Sequence, residues 1–255
     1  MYRSNYGCSL CIGTGSKWDN NELRYSLRSI EKFASGLGEV YIVGDELPEF
    51  VNSETVRFLR CYDLPGNSPA RNVYRKLKAL FSATDIEQFL LSSDDHFFIK
   101  RVDFNNWPIH WKGDSMPKKG STGVGDKRYT QTMVDTRQFM AVVGLDLKYY
   151  EGHTNKLYTR WGWDYLQKQG IDSWMHTRST YGLSLNSPMA ATIMQFSPYR
   201  ASCYRKDVKL HHLNTETDWG LLKGAESFSI YDSAIDAGVA GFLQVMFPEP
   251  SRFEK

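Results

Sequence analysis

Two apolar runs separated by one helical repeat constrain the fold of this chain most. Residues 8–12 and 40–43 are apolar and match strands, and Leu23, Leu27 and Ile30 recur between them at helical spacing. A strand, a helix and a second strand in this order form a unit that joins parallel strands. The sequence therefore predicts an α/β fold whose central sheet is mostly parallel, with flanking helices.

The same pattern continues further along the chain. Residues 56–59 predict a third strand and residues 88–93 a further one, and Val73, Leu77 and Leu80 mark a helix between them. Residues 130–143 predict another helix, and a short helix is expected at residues 164–168. The glycine- and lysine-rich residues 113–125 predict a mobile loop that closes over a ligand.

Size and composition exclude several classes of protein. The chain has 255 residues, of which 41% are hydrophobic, enough for one large domain. A net charge of +2 is too small for a dedicated non-specific DNA-binding protein. The apolar residues 237–247 are too few to span a bilayer, and the N-terminus lacks the pattern of a signal peptide. We therefore expect a cytoplasmic protein without a membrane span.

The most informative polar feature is the pair Asp94-Asp95, which directly follows the apolar residues 88–93. Adjacent carboxylates repel each other, and a hard divalent cation such as Mg²⁺ or Mn²⁺ relieves the repulsion and bridges to phosphate oxygens. Ligands of open α/β sheets bind at the carboxyl ends of strands, where this pair falls. The pair predicts a metal and diphosphate site, although a solvated turn would use the same residues.

Three other segments are candidates for the same site. Gly13, Thr14, Gly15 and Ser16 follow the first predicted strand, and small residues there let backbone amides approach a nucleotide. A plain turn between strand and helix is the alternative, because the spacing is not that of a P-loop.

Asp164 follows Trp161 and Trp163 at the predicted start of a helix. It could act as a general base for an acceptor hydroxyl, with the aromatic rings as a platform for a sugar or base. An Asp that caps a helix below buried tryptophans is equally compatible. His212, or His211 beside it, could complete a metal shell with Asp95.

Three segments together resemble a known family. Residues 19–32 (DNNELRYSLRSIEK), followed by residues 40–43 (VYIV), resemble the second conserved region of the Stealth proteins. Those are sugar-1-phosphate transferases of capsule synthesis, related to the lysosomal-targeting GlcNAc-1-phosphotransferase. Residues 89–98 resemble the acidic motif of that region, and the tail of residues 247–255 (FPEPSRFEK) resembles the closing segment of the family.

The resemblance implies a fold similar to that of GT-A glycosyltransferases. It implies one domain, with a Rossmann-like nucleotide-sugar-binding half at residues 1–112 and an acceptor-binding half with the C-terminal segment at residues 113–255. In such enzymes an acidic motif holds a metal and the donor diphosphate. Asp95 would then bind Mg²⁺ or Mn²⁺, with His212 as a late ligand, and Asp94 would contact the ribose or support the site.

The expected reaction moves a sugar from a nucleotide-sugar, in our prediction a UDP-sugar, to an acceptor hydroxyl. Arg24 or Lys76 would add charge to the diphosphate, and Asp164 would be the base. Residues 186–189 lack the histidine of the third Stealth region, so ordinary glycosyl transfer stands beside sugar-1-phosphate transfer. A non-catalytic sugar- or nucleic-acid-binding module is a third alternative. The compact length also resembles phage and polysaccharide-locus glycosyltransferases, which makes a hydroxymethylated DNA base or a glycan the expected acceptor.

Overall fold

The computed structural model describes residues 7–11, 18–65, 69–106, 127–142, 156–168, 170, 207–210, 220, 222–230, 235 and 237–255. These residues form a mixed α/β fold with both parallel and antiparallel strands. The α/β class expected from the sequence is confirmed at this level.

The helices and strands are as follows. The helices of the described part are α1 (Asn21–Phe33), α2 (Pro69–Ala83), α3 (Lys127–Val142), α4 (Arg160–Lys168) and α5 (Ala237–Met246). Strands in the first part of the chain are β1 (Gly7–Cys11), β2 (Ala34–Ser35), β3 (Val40–Gly44), β4 (Val56–Arg60) and β5 (Gln88–Ser93). The later strands are β6 (His96–Phe98), β7 (Val102–Asp103), β8 (Lys156–Thr159), β9 (Asp207–Leu210) and β10 (Ser227–Ile230).

The larger sheet has five strands in the order β4-β3-β1-β5-β8. β1 pairs in parallel with β3 and with β5, and β3 pairs in parallel with β4, whereas β8 runs antiparallel to β5. The strands predicted at residues 8–12, 40–43 and 56–59 are confirmed, each with bounds shifted by about one residue. Such shifts are ordinary for hydrogen-bonded ends of elements.

Helices α1 and α2 cover this sheet through their apolar stripes. Leu23, Leu27 and Ile30 of α1 are fully buried, and Leu77 and Leu80 of α2 are nearly so. Burial of one such side chain contributes roughly 1.5–3 kcal/mol, so the helical spacing seen in the sequence accounts for how both helices dock.

Helix α4 differs from the prediction. It begins at Arg160, four residues before the expected start, because Thr159 at the end of β8 acts as its cap: the amide of Gly162 donates to Thr159 Oγ1 at 3.1 Å. Trp163 is buried against Phe81, with stacked rings 5.2 Å apart. Asp164 is therefore the fifth residue of the helix and not its first.

The second sheet has three strands in the order β6-β10-β9, and α5 packs on it. Phe97, Phe228, Val239, Leu243 and Phe247 are buried together there. The apolar residues 237–247 therefore mostly form a core helix. Among the helices that the structure describes, none has the length and apolar character needed to cross a membrane.

The C-terminal tail, residues 247–255, closes back onto the first part of the chain. The amide of Asn52 donates to Phe253 O at 2.7 Å, and the amide of Lys255 donates to Phe50 O at 2.9 Å. Phe253 is buried in the main core. The tail that resembles a family motif is thus an integral part of the fold.

Candidate functional site

Asp94 and Asp95 form the turn that links the two sheets. β5 ends at Ser93 in the larger sheet, and β6 begins at His96 in the smaller one. Both carboxylates lie at intermediate depth, and Ser93 Oγ donates a hydrogen bond to Asp95 Oδ1. The amide of Ile230 donates to Asp95 O at 3.2 Å, which ties the turn to β10. The acidic pair is thus held on both sides by regular structure.

Two serines of α1 hold the start of β6 in place. Ser26 Oγ donates to His96 O at 2.8 Å, and the amide of Phe98 donates to Ser29 Oγ at 3.1 Å. β6 pairs with β10 along its other edge, so the serine hydroxyls satisfy backbone groups that would otherwise be buried without partners. Helix α1 therefore positions the strand that follows the acidic pair.

The sheet order places the acidic pair where a ligand is expected. From β1 the chain builds outward through β3 and β4, then returns to the other side of β1 as β5. Cys11, the last residue of β1, lies opposite Ser93, the last residue of β5. This reversal of strand order is the switch point at which open α/β sheets bind ligands. Gly13, Thr14, Gly15 and Ser16 follow β1 in the sequence but lie outside the described residues.

The smaller sheet ends on the same side as Asp95. Leu210, the last residue of β9, pairs with Ile230, whose amide contacts Asp95 O. The end of β9 is therefore about two strand spacings, roughly 10 Å, from the start of β6. His211 and His212 come next in the sequence and lie outside the described residues.

A second polar cluster lies at the carboxyl ends of β3 and β4. Lys76 Nζ and Asp63 Oδ1 form an ion pair at 3.0 Å, and Asp45 Oδ1 accepts the amide of Asp63 at 2.8 Å. The Lys76 side chain is only 5% exposed. Burial raises the pKa of the Cys61 thiol, although Arg75 and Lys76 act against this. Lys76, predicted to contact a diphosphate, is thus held by Asp63 at the same edge of the sheet.

Arg24 lies elsewhere. Its guanidinium stands over the Phe50 ring, 4.4 Å from the centroid, and its Nε is 3.9 Å from Glu254 Oε2. Arg24 thus contacts the C-terminal tail through Glu254 and the segment between β3 and β4 through Phe50. Its predicted role at the diphosphate stays a prediction that no described contact supports.

The structure does not bring Asp164 and Asp95 together. β8 runs antiparallel to β5, so α4 starts beside the amino end of β5, where the amide of Arg160 donates to Glu87 O at 2.7 Å. Asp164 lies one helical turn, about 6 Å, from that end. Asp95 lies beyond the other end of the six-residue β5, about 20 Å away along the strand. Asp164 is exposed, and its role as base stays a prediction that this position does not favour.

The two tryptophans beside Asp164 have different surroundings. Trp163 is in the core, between Phe81 and Tyr74. Trp161 is 40% exposed and stacks on Tyr165, with ring centroids 5.4 Å apart and an angle of 6° between the rings. The predicted aromatic platform is therefore reduced to Trp161 and Tyr165.

Glu22 is an acidic residue that the sequence pattern did not single out. It lies in the first turn of α1, one turn before Ser26 on the same face, and it is only 6% exposed. Apolar periodicity assigns this face to solvent, whereas β6 covers it. A run of small and acidic residues at positions 22, 26 and 29 was the available signal.

The residues at the acidic turn fit a hard divalent cation. Two half-buried carboxylates supply the oxygen ligands that Mg²⁺ and Mn²⁺ prefer, and Ser93 orients one of them. Within the residues described, no group of three or more His, Cys, Asp and Glu side chains is placed to hold a metal. His212 lies outside the described residues.

Comparison of the chain with protein-family models and with curated proteins found no match. The resemblance to the Stealth proteins therefore stays a prediction that depends on the residues quoted above.

Proposed function

We propose that this chain is a metal-dependent glycosyltransferase with a GT-A-like arrangement, which moves a sugar from a nucleotide-sugar, such as a UDP-sugar, to an acceptor hydroxyl. The observation that carries the proposal is the position of Asp94 and Asp95 at the switch point between β1 and β5. The parallel pairs β4-β3-β1-β5 are those expected of a Rossmann-like nucleotide-binding half.

Asp95 is the proposed metal ligand, and Asp94 supports it or contacts the ribose. Mg²⁺ or Mn²⁺ would neutralise charge on the leaving nucleoside diphosphate. Ser93 orients the Asp95 carboxylate, and the bond from the Ile230 amide keeps the turn against β10. His212 is kept as a further ligand because β9 ends on the side of Asp95.

The acceptor is proposed to be a glycan or a hydroxymethylated DNA base. These acceptors follow from the sequence resemblance, because the exposed Trp161 ring, which stacks on Tyr165, lies with Asp164 at the opposite end of β5 from Asp95. A DNA acceptor predicts weak duplex binding that falls steeply as salt increases. Duplex binding that does not change with salt concentration would argue against a DNA acceptor and leave the glycan as the proposed acceptor.

Asp95→Asn is the direct test of the proposal. The purified chain is incubated with a panel of UDP-, GDP-, ADP-, CDP- and dTDP-sugars and Mn²⁺, and the released nucleotide is identified by chromatography. We expect release of a nucleoside diphosphate, reduced about 100-fold or more in Asp95→Asn, because charge stabilisation by a bound metal contributes several kcal/mol.

Asp85→Asn is the matched control, since Asp85 is exposed just before β5 and loses the same charge. It should retain full turnover.

Release of a nucleoside monophosphate would show that the reaction is sugar-1-phosphate transfer and not glycosyl transfer. No turnover of any donor would favour a non-catalytic binding module, and full activity of Asp95→Asn would reject the metal assignment.

A further inference from the structure

Arg75 of α2 carries a buried donor without an acceptor. In the part of the chain that the structure describes, its Nη1 is inaccessible to solvent and has no hydrogen-bond partner. An unsatisfied buried donor costs about 1–3 kcal/mol, and more when it is charged. Such a group in a native protein calls for an explanation, and a catalytic role or a bound ion that satisfies it are two of the known ones.

None of the described residues near Arg75 accepts a hydrogen bond from its Nη1. Asp63 is paired with Lys76 at 3.0 Å, and Asp45 Oδ1 accepts the Asp63 amide. All four charged groups lie close enough to Cys61 to affect the pKa of its thiol. Arg75 is thus the cation of this cluster whose Nη1 lacks an acceptor among the described residues.

The cluster also has the right place for one end of a nucleotide. It lies at the carboxyl ends of β3 and β4, while Asp94 and Asp95 follow β5. β1 alone separates β3 from β5, so the two sites are about 10 Å apart along one sheet edge. A nucleoside diphosphate is long enough to reach from one to the other.

We propose that Arg75 donates a hydrogen bond to an oxygen of the nucleotide part of the donor, at the ends of β3 and β4. The inference rests on the proposed function and deepens it: Asp95 serves the diphosphate end, and Arg75 serves the nucleoside end. It assigns the nucleoside end to Arg75 in place of Lys76, which is paired with Asp63, and of Arg24, which lies against Phe50 and Glu254.

Binding of free nucleotides tests this proposal without turnover. Titration calorimetry of the full chain with UDP and Mn²⁺, and with GDP, CDP, ADP and dTDP in parallel, gives Kd for the wild type and for Arg75→Gln. We expect the Kd of the tightest nucleotide to rise by about 10- to 100-fold in Arg75→Gln, since a hydrogen bond to a charged group contributes about 1.5–3 kcal/mol.

Lys78→Gln is the matched control, because Lys78 is exposed on the same helix and loses the same charge. Its Kd should stay within about twofold of the wild type. Thermal unfolding of Arg75→Gln should give a Tm no lower than that of the wild type, which separates a lost ligand contact from a damaged fold.

The outcomes separate this inference from the proposed function. Equal affinity of wild type and Arg75→Gln overturns the role of Arg75, whatever the turnover. Nucleotide binding that depends on Arg75 in a chain that turns over no nucleotide-sugar supports the role of Arg75 and rejects the glycosyltransferase. A wild type that binds none of the five nucleotides overturns the inference.

Discussion

Arg28 and Arg75 lie on α1 and α2, two helices that contribute to the same core, yet their guanidinium groups have opposite surroundings. Arg28 Nε and Nη2 donate to the two oxygens of Glu254, each at 2.8 Å, and Nη1 donates to Phe247 O at 2.9 Å. Arg75 has a buried Nη1 with no partner among the described residues. Arg28 therefore forms a complete bidentate pair that clamps two segments together, whereas Arg75 keeps a buried donor that we propose a ligand satisfies.

The clamp holds the C-terminal tail against α1. Ser251 donates to Glu254 Oε1 from its amide at 2.9 Å and from its hydroxyl at 3.1 Å, so one carboxylate gathers donors from both segments. The hydrogen bonds that Arg28 donates to Glu254 raise the pKa of Arg28, against the effect of burial. The tail therefore contributes to stability through pairs that are complete before any ligand binds.

The largest loss of unfolding free energy is expected when the Arg28 side chain is truncated. Arg28→Ala removes the cation that is hydrogen-bonded to Glu254, whose side chain is 5% exposed, and leaves only the more distant Arg24, 3.9 Å away, among the described cations; loss of a partner from a buried pair costs about 3 kcal/mol or more. Urea unfolding followed by tryptophan fluorescence should show this loss of unfolding free energy. Arg57→Ala is the control: its pair with Glu39 is exposed on both sides and should cost less than about 1 kcal/mol. Equal losses in the two variants would contradict the comparison.

A smaller effect on stability is expected when a change of pH protonates Glu254. Burial acts to raise the pKa of Glu254, but the hydrogen bonds from Arg28 and Ser251 outweigh it, and the net pKa is lowered. The stability that this carboxylate contributes is therefore complete above its unfolded pKa, about 4.3, and is lost as pH falls through the lower folded value.

Glu254→Gln removes this titration. Differential scanning calorimetry should show a Tm below that of the wild type at pH 7. This difference in Tm should shrink between pH 4.5 and pH 3. Glu31→Gln, on the exposed pair with Arg252, is the control and should leave the acid slope of the wild type unchanged. A Tm difference that stays constant down to pH 3 would show that Glu254 does not stabilise the fold through its charge.

Local patterns in the sequence predicted much of the fold. The apolar runs predicted β1, β3 and β4, and the helical spacing predicted α1 and α2, whose apolar residues are buried on one face. The start of α4 was wrong, since the Thr159 cap was not recognised before a segment that contains Gly162. The acidic turn was predicted to follow a strand, and it does.

Local sequence patterns could not predict partners that are distant from each other in the chain. Arg28 and Glu254 are 226 residues apart in the chain, and nothing in the local sequence distinguishes Arg28 from Arg24 as the clamp. Likewise, the spacing of α2 marked Arg75 and Lys76 only as basic residues. The two residues differ because Asp63 forms an ion pair with Lys76, whereas Arg75 Nη1 has no hydrogen-bond partner among the described residues. Which cations are available for a ligand is decided by tertiary pairing.

The smallest effect on stability is expected at Arg75 itself. Arg75→Met keeps much of the length of the side chain and removes the unsatisfied donor, so the unfolding free energy should stay unchanged or rise by up to about 1 kcal/mol. The same change at Arg28, Arg28→Met, should be strongly destabilising, because there it breaks a complete pair. Urea unfolding of the two variants side by side measures both. A loss of more than about 1 kcal/mol in Arg75→Met would mean that Arg75 supports the fold, as Arg28 does, and that the contrast between a clamp and a binding residue does not hold.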